Sequence, residues 1–226
     1  MRVSILSTLK PVALSIALLA FFAVGHDVVK ADPVAIGGNI PGPSNTTFQG
    51  GTLVASNSIA VATATFSGTA RSAVYLNSGG TLDFYYQFTN NGPDDIGRLS
   101  FFNFDGFTTD VFNVTNGMAI GAGFLTGTVD STNADRGANP ALNSVGFNYS
   151  AGSFTTGTTS LSLLVRTNAT NFMAGTFSVI DGSTSTTASF APGAAIPEPT
   201  TMLLLGTGLA GVAGAVRRKL RARNQN

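Results

Sequence analysis

From Leu82 to Thr89 the chain reads LDFYYQFT, with Leu82, Phe84, Tyr86 and Phe88 on one side of a two-residue period and Asp83, Tyr85, Gln87 and Thr89 on the other. Such alternation predicts a strand with one face on a core and the other toward solvent. Runs of the same kind follow at RLSFFNF, DVFNVTN, FLTGTV, SVGFNYS, TSLSLLVRT and GTFSVID, and IAVATATFSG and TARSAVYL precede it. Turn-forming clusters such as NNGPDDIG, STNADRGANP and SAGS divide them. Regular strand spacing without a helical period predicts an all-β domain over 32–182, an antiparallel β-sandwich of jelly-roll or Ig-like type. The stretch from 32 to 192, about 160 residues, can close one core burying roughly two-thirds of its unfolded surface. Phe101, Phe102, Phe104 and Phe107 are expected in that core. Tyr85, opposite Leu82 and Phe84, is the candidate for an exposed ring that stacks on sugars, unless its face packs on the second sheet.

The pattern changes at both ends. Arg2 and Lys10 precede an apolar run from Pro11 to Gly25, and Val29-Lys30-Ala31 places small residues at the −3 and −1 positions of a cleavage site. Residues 1–31 therefore read as a signal peptide, with the mature chain opening at Asp32. The alternative is an uncleaved transmembrane helix, for which about 15 apolar residues fall short of the roughly 20 needed. At the other end, Thr200 to Val216 is uncharged and as a helix would reach about 26 Å. With Arg217 and Arg218 snorkelling, it can serve as a transmembrane helix. Its LLLGTGLAG imitates a dinucleotide-binding turn, but no acidic residue follows Glu198 to meet a ribose, and no βαβ unit is present. The basic cluster RRKLRAR keeps its side of the span cytoplasmic and the domain outside. Between domain and span, DGSTSTTASFAPGAA is small and polar, and 183–195 is expected to be a flexible linker.

Charge and composition narrow the chemistry. Between Asp32 and Ile196 stand four Arg against nine Asp, a formal −5, which argues against nucleic-acid binding through a basic patch. There is no Cys, and the single histidine, His26, lies in the segment expected to be removed. Triads built on His or Cys are thereby unavailable. Asp94 with Asp95, Asp105 with Asp110 and Asp130 with Asp135 are the pairs a glycoside hydrolase would draw on, yet each sits in or beside a predicted turn, where Asp is expected for backbone reasons. Asp130, Asn133 and Asp135 in DSTNAD are the oxygen donors a calcium ion would use, although they miss the Asp-x-Asp-x-Asp-Gly spacing and the distal Glu. A plain loop is the competing reading. No catalytic residue, resident metal or cofactor is expected.

Ahead of the span, Ile196 and Glu198 each precede a proline and are pushed into extended backbone, so Pro197-Glu198-Pro199 cannot be helical. A Pro-Glu-Pro tripeptide, a glycine-rich apolar helix and an arginine cluster in that order resemble the PEP-CTERM sorting signal of Gram-negative bacteria. The resemblance covers residues 196–226. It implies that Pro197, Glu198 and Pro199 are recognised by an exosortase, that Thr200 to Val216 lies transiently in the inner membrane, and that Arg217, Arg218, Lys219, Arg221 and Arg223 retain it there. It further implies a cell-surface or extracellular fate associated with exopolysaccharide. The sequence thus predicts a non-enzymatic surface or matrix protein. The alternatives are a secreted polysaccharide-active enzyme using Asp pairs and a permanently membrane-anchored carbohydrate-binding or adhesion domain.

Overall fold

The computed structural model of the chain describes residues 31–139, 143–194, 205, 207–209 and 212. Of the signal peptide expected over 1–31, residues 1–30 lie outside them. Among the described residues twelve strands are present: β1 Asn39–Pro41, β2 Asn45–Thr46, β3 Thr52–Ala62, β4 Phe66–Leu76, β5 Leu82–Pro93, β6 Arg98–Phe101, β7 Thr109–Val114, β8 Asn133–Arg136, β9 Val145–Asn148, β10 Ser162–Thr167, β11 Asn171–Ile180 and β12 Thr184–Gly193. They form two six-stranded sheets, ordered β2-β7-β10-β5-β4-β3 and β1-β8-β9-β6-β11-β12. All pairings are antiparallel except β2 with β7. The sandwich expected from the alternation is the architecture found.

The alternating residues of β5 set the core. Leu82, Phe84, Tyr86 and Phe88 are buried together with Phe66 and Val74 of β4, Leu163 and Val165 of β10, and Leu99, Phe101, Phe147, Phe177 and Val179 of the other sheet. Tyr86 stacks on Phe101 with centroids 3.7 Å apart and rings 10° from parallel, and Phe177 closes edge-on against Phe101 at 4.8 Å. These rings carry the sheet-to-sheet contact, because aromatic side chains bury the most apolar surface per residue. The Tyr86 hydroxyl, deep between the sheets, donates to the Phe190 carbonyl of β12 at 2.6 Å. Burial raises the Tyr86 hydroxyl well above its ordinary value, so it stays a donor.

The second face of β5 is covered too, which corrects the half-exposed strand. Asp83, Tyr85 and Gln87 are fully buried beneath segments that cross the outside of the sheet. Tyr85 meets Tyr75 and Phe48 edge-on, both at 5.6 Å, and so is no exposed platform. The Gln87 amide acts as a stand-in for backbone: its Nε2 donates to the carbonyls of Leu125 and Ser160, and its Oε1 accepts from the Leu125 N–H. Gly127 permits this layering, since a Cβ there would stand 1.9 Å from the Ser160 carbonyl oxygen. FLTGTV is accordingly a covering loop with a single bridge, from Val129 to Ser160.

Two boundaries differ from the sequence pattern. IAVATATFSG holds the end of β3, a turn and the start of β4; the turn is made by the Thr63 hydroxyl, which accepts from the Thr65 and Phe66 N–H groups. No Gly or Pro marks it. The linker expected over 183–195 is mostly β12, paired with β11 from Ile180↔Thr184 to Asn171↔Gly193. Small side chains hid its period: Ser189 and Ala191 are buried while Thr184, Thr186 and Ala188 are exposed. Pro192 is tolerated because β12 is an edge strand, where one side of the backbone needs no partner.

Replacing Phe101 by Ala is expected to remove the stacking partner of Tyr86 and lower stability by about 3–5 kcal/mol. Urea unfolding followed by tyrosine fluorescence measures the loss.

Candidate functional site

The side chains with chemistry to offer sit in three places. On the outer face of the second sheet, β8 points Asn133 and Asp135 the same way by its two-residue period. Neighbouring β9 adds Asn148 and β6 adds Arg98. The Arg98 guanidinium grips both oxygens of Asp135, with Nη2 2.7 Å from Oδ1, and also donates from Nη1 to Asn148 Oδ1 at 2.8 Å and from Nε to Ser100 Oγ at 2.8 Å. Asn148 Nδ2 in turn donates to Asn133 Oδ1 and Asp135 Oδ2. Gly146 makes room: a Cβ there would lie 1.9 Å from Arg98 Nη2, so only a glycine lets the guanidinium lie across β9.

This arrangement gathers two of the three calcium candidates and fills their oxygens with donors. Asp130 is exposed on the preceding segment. A cation at Asn133 and Asp135 would face a guanidinium already bound there. Burial alone would raise the Asp135 carboxyl, but hydrogen bonds from Arg98 and Asn148, with the Arg98 charge, outweigh it and hold the group below its ordinary 3.8. Among the described residues, no group of three or more His, Asp or Glu could hold a metal ion.

The remaining carboxylates are dispersed. Asp94 and Asp95 are exposed in the turn after β5. Asp105 accepts from Asn143, whose Oδ1 accepts from buried Arg136; that guanidinium also donates to the Phe104 carbonyl at 2.7 Å and fastens the loop between β6 and β7. Asp110 lies elsewhere, on β7, where burial raises its carboxyl, Arg166 draws it back and Asp32 pushes it up. Asp32 is held by Pro33 bridging to Asp110 and by its own carboxylate accepting from the Ser44 N–H. The sequence also conceals an ion pair between buried Asp83 and half-buried Arg166 at 3.0 Å, which Asn77 supports from the β4–β5 turn. Adjacent strands at matched register, Arg166 opposite Asp83, produce it.

The third place is the C-terminal edge. β12 ends at Gly193 with Ala191, Pro192 and Gly193 buried, and Asn171 Nδ2 reaches the Ala194 carbonyl. Pro197, Glu198, Pro199, Arg217, Arg218, Lys219, Arg221 and Arg223 lie outside the described residues. Leu205, Thr207, Gly208, Leu209 and Val212 are helical and exposed. Among the described residues no helix is long and apolar enough to cross a membrane.

The model of the PEP-CTERM protein-sorting motif matches residues 195–219. The chain carries a PEP-CTERM sorting signal. That match begins two residues past the last residue of β12, so the signal follows the folded sandwich almost directly. A PEP-CTERM motif implies exosortase-targeted sorting, with export and membrane-associated handling of the chain that bears it. No curated protein and no solved structure matches the chain.

The Arg98 to Asp135 pair gives a pH signature. Because the folded carboxyl is depressed, its contribution is present above the unfolded value near 3.8 and is lost as pH falls through the lower folded value. Asp135→Asn is expected to lose about 1–2 kcal/mol at neutral pH and to flatten the stability profile below about pH 4. Thermal unfolding at a series of pH values checks both.

Proposed function

We propose that this PEP-CTERM protein is an exported, non-catalytic surface or matrix component, delivered through its tail and associated outside the cell with exopolysaccharide. The observation that carries the reading is the sorting signal joined without a spacer domain to a β-sandwich in which several acidic side chains are held by structural partners. Asp83, Asp105 and Asp135 each have a donor partner, and no histidine or cysteine stands in the sandwich. Such a domain offers an acidic, hydroxyl-rich surface without a histidine or cysteine to activate or act as a nucleophile.

In this reading residues 1–31 start export, and the tail holds an inner-membrane intermediate with Arg217, Arg218, Lys219, Arg221 and Arg223 in the cytoplasm. Pro197-Glu198-Pro199 is presented to the exosortase as a stiff extended segment at the outer face. Removal of the tail then releases the sandwich to the surface or the matrix.

Two measurements test it. Replacing Pro197 and Pro199 by Ala removes the restraint on Glu198; in a host with an exosortase, the full-length form is expected to accumulate in the membrane fraction, and normal release of the variant would oppose the proposal. Protein incubated with the host's own polysaccharide is expected to cosediment with it and leave its chain length unchanged. Shortened chains would support an enzyme instead.

A further inference from the structure

The end of the sandwich from which the tail departs exposes several large apolar side chains, although Ile36, Met118 and Leu125 of the sandwich are exposed as well. Leu82 N donates to the Ala169 carbonyl across the turn into β11, and Asn171 at the start of β11 pairs with Gly193. The end of β4, the start of β5 and the end of β12 therefore share one end. Thr52 opens β3 there, opposite Leu76. Four large apolar side chains are exposed on it: Leu53 at 45%, Val54 at 46%, Leu76 at 41% and Met173 at 47%. Leu53 pairs with Tyr75 next to Leu76, and Met173 pairs with Ala191, two residues before Gly193.

Two cations stand among the carboxylates toward this end: Arg166 beside Asp83 and Asp110, and Arg136 beside Asp105. At the opposite end Asp94 and Asp95 are exposed and Asp181 is half-buried in the β11–β12 turn; the nearby cation, Arg98, is engaged by Asp135. Toward the tail end Asp32, Asp83, Asp105 and Asp110 outnumber Arg136 and Arg166, so both ends of the domain are acidic.

The length of chain beyond β12 limits how far the apolar end can stand from the segment that follows. From Gly193 to Thr200 are seven residue steps, which span at most about 25 Å fully extended. We infer that Leu53, Val54, Leu76 and Met173 form a lipid-contact surface, resting in the interfacial region of the membrane that Thr200 to Val216 enters. This rests on the reading of Thr200 to Val216 as a membrane segment. The contact orients the domain over its own tail, and exposed apolar side chains gain most by leaving water at such a boundary.

The chain has no cysteine, so one introduced thiol labels one position. Full chain bearing a polarity-sensitive fluorophore at Leu53→Cys, Leu76→Cys or Met173→Cys is reconstituted in phosphatidylcholine–phosphatidylglycerol vesicles, with Ser183→Cys at the opposite end and Leu209→Cys in the tail as references. The expected result is blue-shifted emission, quenched by brominated lipid, at the three apolar positions and at Leu209→Cys, with water-like emission at Ser183→Cys. Lipid-quenched emission at Leu209→Cys with water-like emission at the three positions overturns the contact and leaves the membrane segment standing. Water-like emission at Leu209→Cys overturns both. Shielding that rises with protein-to-lipid ratio and ignores brominated lipid means a second copy covers the patch, and overturns the lipid contact.

Discussion

The ring of Tyr86 lying on the ring of Phe101 joins the two sheets, and the positions of the other elements follow from that contact. Tyr86 belongs to β5, which pairs with β4 on one side and β10 on the other; Phe101 belongs to β6, which pairs with β9 and β11. Because interiors are packed to near-crystalline density, a stacked pair at the centre fixes the spacing of the strands around it. The Tyr86 hydroxyl carries the constraint one step further, to the Phe190 carbonyl of the edge strand β12. The strand that leads into the sorting signal is thereby tied to the core rather than trailing from it.

That tie changes how the tail is understood. A flexible tether would let the sandwich wander over many orientations before processing. Instead β12 keeps the chain in the sheet up to Gly193, two residues before the PEP-CTERM match begins. The same economy appears in the four arginines of the sandwich. Arg98 binds Asp135 across a glycine gap, Arg166 binds buried Asp83, Arg136 holds a loop through Asn143 and Phe104, and Arg71 donates to Thr89. With those cations engaged and no lysine in the domain, the outward charge is that of the aspartates.

The fold class was legible because β5 alternates large apolar with polar residues, and nothing else gives a two-residue period of that strength. β12 was hidden because its alternation is written in Ser, Thr and Ala, which also compose linkers. The β3–β4 turn was hidden because a threonine hydroxyl makes it in place of Gly or Pro. Tyr85 misled for a further reason: a polar face in a strand promises solvent only when no loop crosses it, and Gln87 recruits such a loop. The sorting signal was legible since its three elements are contiguous in sequence. Arg98, Asn148 and Asp135 were not read as a cluster, because strand register brings them together and register is a property of the whole sheet.

The mass of the intact protein recovered from a host that possesses an exosortase tests the central claim most directly. Sorting through the tail predicts a chain that opens at Asp32 and ends near Pro197-Glu198-Pro199, with β12 retained and Thr200 to Asn226 removed. A mature chain that still carries Arg217 to Asn226 would contradict it and make the tail a permanent anchor.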